Sequence, residues 1–380
     1  MFNIADFWAT VQRRLFPYLE ECLPPGLTER LREFILVLEV VRIEQHVSSG
    51  ASQRRGRTRS ARRPLARAFL AKAFYNLPTT EDLWERLHLD EALRQVCGWE
   101  RRKQVPSLST FSRAFAEFAA TGLLDQVHAA VVARYGADTL FWHVSRDSTA
   151  IAARERPARA PQATEAPPAT EASPPPPAPS PKRRRGRPRK GEPRPEPEPT
   201  RLERQYATPL AETPALVAEL PTACDVGCKK DAQGHVHSWQ GYKFHVDVGD
   251  TGLPLLALTT SASLHDSQVA IPMARLTAGR VTSLYDLMDA AYDAEAIWNT
   301  CYDLHHVPII EENPRRGQKL PMEPDRALRY GHRSGSERFN GDLKDNHGGR
   351  TVRVRGKPKV HAHLMFGLLV IFANVVLGWR

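Results

Sequence analysis

Four residues near the C-terminal end of the chain have types and spacing that suit phosphate chemistry: Tyr330, Arg333, Glu337 and Lys344. A helix running from about Arg333 would place the last three on one face, because offsets of four and seven residues return to the same side of a helix. A carboxylate between two cations suits a metal ion lying against a phosphodiester. The array therefore predicts a site for phosphoryl chemistry on DNA or RNA.

The same array resembles the last catalytic block of the DDE transposases of bacterial insertion sequences, of the insertion-sequence-four type with its Tyr-Arg-Glu-Lys signature. All four spaced positions match. The resemblance implies that Glu337 is the third catalytic acid and that Arg333 and Lys344 hold phosphates near the transposon end. Tyr330 would help to position that strand. Arginine suits a bidentate phosphate contact and lysine a point contact.

The family places two further acids upstream, each closing a β-strand. Residues 139–149 are an aromatic and β-branched run that ends in an acid and hydroxyl residues, which predicts a strand running into a polar loop. Asp147 is therefore the predicted first acid. The assignment depends on finding all three acids in the order Asp, Asp, Glu, because a single acid after a strand is usually a solvated turn residue.

Residues 281–289 form the second run, and Asp289 is the predicted second acid. It is followed by Tyr292, close to the family's Asp-x-x-Tyr block. Two nearby acids are rivals, but Asp286 falls within the strand and Asp293 lies beyond it.

Three carboxylates that leave coordination positions open suit Mg²⁺ or Mn²⁺. Two such ions, about 3.5–4 Å apart, can activate a water or a DNA 3′-hydroxyl and stabilise the leaving oxygen. The resemblance thus implies a transposase that cleaves transposon ends and transfers strands into target DNA. Its catalytic and metal-binding residues would be Asp147, Asp289 and Glu337.

Charge and cysteine usage agree with a DNA-binding protein. The formal net charge of +10 and the pI near 9.5 favour a polyanionic partner, which by charge alone could be DNA, RNA or an acidic membrane surface. The resemblance selects double-stranded DNA, with a homodimer in the active complex. Five cysteines without a dense framework, and no signal-like N-terminus, predict a cytoplasmic, nucleoid-associated protein.

The chain ends in an apolar stretch, residues 364–379. It is shorter than the ~20 residues that a transmembrane helix needs. We therefore expect a buried core helix and no membrane span.

The N-terminal region, residues 1–137, shows helical apolar spacing and could bind DNA. It includes two amphipathic segments within 3–47 and an arginine-rich loop at 48–64, which suits either phosphate contacts or a solvated linker. A helix is expected after Pro106. It could belong to a helix-turn-helix or be a plain packing unit.

A proline-rich insertion, residues 154–200, contains 15 of the 31 prolines, so we expect it to be disordered. Its basic core, residues 182–190, includes Arg185, Arg187 and Arg189 around a Gly-Arg-Pro sequence. This core resembles an AT-hook that binds the narrow A·T minor groove. A generic basic tether is the other interpretation.

The predicted fold class is α/β: an RNase H-like mixed sheet flanked by helices, preceded by an all-α N-terminal domain. Residues 138–153 would supply the first catalytic strand and 201–380 the rest of the catalytic domain. The predicted elements after the insertion are a β-hairpin at 235–248 and 253–259, a crossover helix at 267–278, a strand at 281–289 and a strand at 307–310. Only 47 residues separate Asp289 from Glu337, which leaves no room for the large β insertion of some relatives.

Two short motifs give predictions of their own. Cysteine and histidine at short spacing can bind zinc, although the spacing here is not that of a common finger: Cys224, Cys228, His235 and His237. The block at 265–267, His-Asp-Ser, predicts a helix cap rather than a catalytic dyad.

Two other classes of function stay open on the sequence. A non-catalytic DNA-binding protein would leave the cations spaced around Glu337 unexplained. An RNase H-like nuclease or resolvase would share the same acids, and inverted repeats flanking the coding region would separate it from a transposase.

Overall fold

The computed structural model describes residues 28–47, 60–157, 198–230, 234–314 and 321–379. Within these ranges, six α-helices precede the first strand: α1 Glu29–Val41, α2 Arg62–Phe74, α3 Thr80–Leu89, α4 Glu91–Cys97, α5 Leu108–Ala120 and α6 Leu123–Gly136. The helical prediction for this region is confirmed where the structure describes it. The segment expected to form the first amphipathic helix and most of the arginine-rich loop lie outside the described residues.

One mixed sheet follows, with six strands in the described part: β1 Leu140–Ala152, β2 Asp225–Lys230, β3 Val236–Gly249, β4 Pro254–Ser261, β5 Thr282–Met288 and β6 Val307–Ile310. Their order is β2-β3-β1-β5-β6, with β4 also paired to β3. β1 runs antiparallel to β3 and parallel to β5, and β5 runs parallel to β6. The predicted mixed sheet, its hairpin and its last two strands are confirmed.

The sequence did not predict β2. β3 is long enough to pair along one edge with two strands placed end to end, β2 beside its first half and β4 beside its second half. β2 contains Gly227 and Cys228 and lacks a clear alternating pattern, so only its pairing with β3 defines it. Two short helices lie between the insertion and β2: α7 Arg201–Ala207 and α8 Thr213–Ala218.

Asp147 does not close its strand as expected, because β1 continues five residues further, to Ala152. The pairing with β3 extends along β1 to Ala152, whereas the pairing with β5 ends at Ser145 opposite Leu287. Asp147 is therefore a mid-strand residue on the β3 side. On the β5 side it lies just beyond the last pair.

The remaining helices are α9 Ser267–Ala278, α10 Glu295–Asp303, α11 Pro324–Tyr330, α12 Ser334–Asn346 and α13 Lys357–Val376. The crossover helix α9 has the predicted bounds. α13 is long and apolar enough to cross a membrane by length and composition, yet 72% of its most apolar window is buried inside the protein. It packs against α1, α2, α5, α6 and β4, so the prediction of a core helix is confirmed. One continuous hydrophobic cluster joins the N-terminal helices to the sheet through α13.

Candidate active site

The parallel register of β1 and β5 brings Asp147 and Asp289 to the same level. Ser145 pairs with Leu287, and each acid lies two residues further along its own chain. Because strand side chains alternate between faces, both acids are expected on the face that carries Ser145. Asp289 follows the end of β5, where its Oδ1 accepts a hydrogen bond from the Ala291 N–H at 2.9 Å.

Helix α12 and the turn before it dock along β1 through a regular series of contacts. Two strand residues advance about 6.7 Å and four helix residues advance about 6 Å, so side chains spaced by two on β1 can meet side chains spaced by four on the helix. The contacts are a His143–His332 ring stack at 4.5 Å, a Ser145–Ser336 Oγ–Oγ hydrogen bond at 2.6 Å and an Asn340 Nδ2 to Asp147 Oδ2 hydrogen bond at 3.1 Å. This docking carries Arg333 and Glu337 to the acids.

Arg333 links two of the predicted acids. Its guanidinium lies 4.0 Å from Asp147 Oδ1 and 2.6 Å from Glu337 Oε1. It also lies 5.7 Å from the centre of the Tyr330 ring, and the Tyr330 hydroxyl donates to Glu311 at 3.3 Å. The Glu337 side chain is 56% exposed, so its pairing with Arg333 can exchange with solvent or a ligand.

Nearby positive charge does not neutralise the carboxylates of Asp147 and Asp289. Burial raises the pKa of Asp147 from 3.8 to about 6, and the neighbouring Asp289 adds to this rise against the opposing effects of the Ser148 N–H and Arg333. Burial also raises the pKa of Asp289, with a further contribution from Asp266. Both shifts indicate carboxylates that one arginine does not neutralise.

Further cations lie around these acids. Burial lowers the pKa of Lys344, and the charges of Arg350 and Lys229 lower it further. Lys229, on β2, also lowers the pKa of both aspartates, so it faces the site from the far side of β3. Together with Arg333, the lysines Lys344 and Lys229 form a basic rim around the acids. Such a rim suits a polyanion.

Sequence reasoning missed two residues of this site. Lys229 was missed because β2 was not predicted. Asn340 could have been found, since it follows Arg333 by seven residues and Glu337 by three and therefore shares their helical face. Arg185, Arg187 and Arg189 lie outside the described residues.

The rival acids are engaged elsewhere. Asp286 is buried, lies 2.9 Å from His306 Nδ1 and 4.0 Å from the Arg146 guanidinium, and faces the opposite side of the sheet. Asp293 accepts hydrogen bonds from Trp298 Nε1 at 3.1 Å and from the Asn313 N–H at 3.0 Å.

The expected helix cap before α9 is wrong. Asp266 occupies the N-cap position with helical backbone angles, whereas a capping side chain needs an extended backbone to reach the first N–H groups. Its carboxylate instead accepts a hydrogen bond from Lys243 Nζ at 2.9 Å. His265 Nδ1 lies 2.8 Å from Ser267 Oγ. The motif thus places another carboxylate, half-buried, near Asp289.

Within the described ranges, no three His, Cys, Asp or Glu side chains lie close enough to hold a metal ion together. Glu337 is directed to Arg333 in this structure. The four zinc candidates likewise form no such group. Cys224 is buried with its Sγ 3.6 Å from the Glu155 carbonyl oxygen, and Cys228 is exposed on β2.

Comparison with known families identifies the class of protein. Residues 222–373 match the transposase DDE domain, and residues 18–117 match a transposase domain, DUF772. Comparisons with curated proteins and with solved structures found no match.

Both matches are to transposase domains, and the chain functions as a DNA transposase. A transposase DDE domain implies an RNase H-like fold, in agreement with the mixed sheet. The matched DDE segment contains Asp289 and Glu337, and Asp147 lies upstream of it.

Proposed function

We propose that this transposase cleaves transposon ends and transfers them to target DNA with Asp147, Asp289 and Glu337 as catalytic, metal-binding carboxylates. The observation that carries the proposal is the Arg333 guanidinium, which joins Asp147 to Glu337 across 190 positions of sequence. The parallel register of β1 and β5, which brings Asp147 and Asp289 to the same level, supports the proposal. The Tyr-Arg-Glu-Lys spacing supports the insertion-sequence-four type.

The residues present fit a hard divalent cation. Carboxylate oxygens are the ligands that Mg²⁺ and Mn²⁺ prefer, and the raised pKa of both Asp147 and Asp289 marks a site where a cation would be stabilised. A buried amide oxygen, Asn340 Oδ1, lacks a hydrogen-bond partner among the described residues. When bound, two Mg²⁺ or Mn²⁺ ions would supply Lewis-acid stabilisation of the attacking and leaving oxygens.

The basic residues bind and orient the DNA. Arg333 exchanges its contact with the exposed Glu337 for a phosphate of the transposon end, and Lys344 makes a second phosphate contact. Tyr330 orients the same strand. Lys229 extends the basic rim from β2.

Outside this site, Arg185, Arg187 and Arg189 bind the A·T minor groove. The active complex is a homodimer on transposon-end and target DNA. The protein works in the cytoplasm at the nucleoid.

The test is to remove each negative charge with little change of shape, by Asp147→Asn, Asp289→Asn and Glu337→Gln, and to measure cleavage of end DNA with Mg²⁺. Each change should slow cleavage by about 10³-fold or more, which is about 4 kcal/mol of activation free energy. Asp138→Asn, an exposed acid before β1, is the matched control and should cleave normally. Near-normal cleavage by any one of the three variants would remove that residue from the site.

Two further measurements test the cofactor and the reaction. Chelation with EDTA should stop cleavage, and added Mg²⁺ or Mn²⁺ should restore it. A pre-cut end with a free 3′-hydroxyl should become joined to a target plasmid. Cutting without joining would indicate a nuclease.

A further inference from the structure

The Asn340 side chain lies against the Asp147 carboxylate and uses only one of its two polar atoms. Asn340 is 7% exposed, and its Nδ2 donates to Asp147 Oδ2 at 3.1 Å. Its Oδ1 is buried and has no hydrogen-bond partner in the part of the chain that the structure describes. A buried acceptor without a donor costs stability, so such an atom calls for a functional explanation.

The position of Asn340 is set by packing rather than by its own hydrogen bond. One helical turn earlier, the fully buried Ser336 hydroxyl lies 2.6 Å from the Ser145 hydroxyl. The His143–His332 stack fixes the preceding turn. These contacts hold α12 in one register on β1, and that register delivers the Asn340 amide to Asp147.

The two oxygens of the Asp147 carboxylate have different partners. Arg333 approaches Oδ1 at 4.0 Å, and Asn340 donates to Oδ2. An amide is the side-chain group that can donate to a carboxylate through nitrogen while it offers a neutral carbonyl oxygen. Carbonyl oxygens of asparagine are ligands of hard divalent cations, and groups that orient a metal-binding carboxylate tune the affinity of its site.

We propose that Asn340 is a positioning residue for Asp147 and that its Oδ1 is a neutral oxygen ligand in the divalent-cation site. The inference rests on the proposed function, because it assumes that Asp147 binds the ion. It goes beyond the three acids, because it adds an uncharged fourth residue on the α12 face.

The first test replaces Asn340 with leucine, which has a similar size and no polar atoms, in the full-length protein. Titration calorimetry with Mn²⁺ should show affinity weakened by about 10- to 100-fold. The melting temperature in EDTA should not fall, because the unpaired oxygen is removed together with the amide. Asn346→Leu is the control: Asn346 is exposed on the same helix, donates to Asp342 at 2.6 Å, and should leave Mn²⁺ affinity unchanged. Normal Mn²⁺ affinity of Asn340→Leu would overturn the inference.

A second variant keeps the inference testable if the leucine variant does not fold. Asn340→Asp keeps an oxygen but replaces the donor with a negative charge beside Asp147. In EDTA its melting temperature should lie below that of the wild type, and Mn²⁺ should raise it by more than it raises the wild type. An equal or smaller Mn²⁺ effect would contradict the role of Asn340.

Asp147→Asn, measured in parallel, separates the two proposals. If Asp147→Asn keeps normal Mn²⁺ affinity, the proposed metal site is wrong. If Asp147→Asn loses that affinity while Asn340→Leu keeps it, only the role of Asn340 is wrong.

Discussion

Arg146 and Asp147 are consecutive residues of β1 and face opposite sides of one sheet. Buried charges are paired on the Arg146 side, whereas the acids on the Asp147 side are not neutralised. Arg146 is 1% exposed and donates to Asp247 Oδ2 at 2.8 Å, while Thr277 donates to the same oxygen at 2.6 Å. Asp286 completes this buried cluster beside Arg146 and His306. On the other side, Asp147 faces Asp289 across the strand register.

The contrast is clearest on β5 and the residue after it. Asp286 and Asp289 are three positions apart and so lie on opposite faces. Burial raises the pKa of both groups, but the His306 hydrogen bond and the Arg146 charge outweigh it at Asp286, whose pKa is lowered. At Asp289 the effect of burial exceeds the opposing effects of the Ala291 N–H and Arg333, so the pKa is raised. One face thus pairs its acids for structure, and the other leaves them available to a cation.

The largest expected effect comes from breaking the paired face. Arg146→Met would leave Asp247 and Asp286 buried without their cation and should lower the free energy of unfolding by about 3–5 kcal/mol. Urea unfolding measures it, with the exposed Arg154→Met as the control. A loss below about 1 kcal/mol would show that the cluster contributes little to stability.

On the face that carries Asp147, removing a charge should raise the stability of the protein instead of lowering it. Because folding raises the pKa of Asp147 from 3.8 to about 6, stability falls as the pH rises through this range. Asp147→Asn removes that loss, so the metal-free variant should be more stable than wild type by about 3 kcal/mol above about pH 7, at about 1.4 kcal/mol per pKa unit over the rise from 3.8 to about 6. Below about pH 4 the difference should vanish. Unfolding in EDTA across pH 4–8 tests this, and a variant less stable at pH 7.5 would contradict it.

A smaller effect is expected from the basic rim. Arg333→Ala and Lys344→Ala should each weaken binding to end DNA and lower the steepness of its salt dependence by about one counterion. Arg338, which is exposed on the same helix, supplies the comparison. Arg338→Ala should lose less affinity for end DNA than the other two variants lose. Unchanged salt slopes for both site residues would make them structural.

The smallest effect on either face should come from deleting residues 158–197. The flanks must be kept, since Glu155 accepts hydrogen bonds from the Tyr242 hydroxyl and the Gly356 N–H, and Thr200 caps α7. With a short Gly-Ser linker, folding and cleavage of short end DNA should persist, because loop length costs little free energy.

Affinity for A·T-rich duplexes should fall more than affinity for G·C-rich duplexes at fixed salt. Equal losses would reduce the basic core to a generic tether. A deleted protein that does not fold would show that the segment belongs to the domain.

The sequence by itself determined the elements with a local periodic signal. The crossover helix α9, the strand β6 and the apolar helix α13 follow from hydrophobic spacing over neighbouring residues. The array from Tyr330 to Lys344 is also local, because one helix sets which of its residues share a face. These features needed no knowledge of distant contacts.

Tertiary structure decided what depends on partners far along the chain. β1 continues past Asp147, and β2 forms at all, because β3 supplies hydrogen bonds to both. The place of Asn340 beside Asp147 depends on the match between a two-residue strand step and a four-residue helix step, which only packing can bring into register. For the same reason Lys229 reaches the acids only after β2 has paired, since its position is a property of the sheet and not of its own segment.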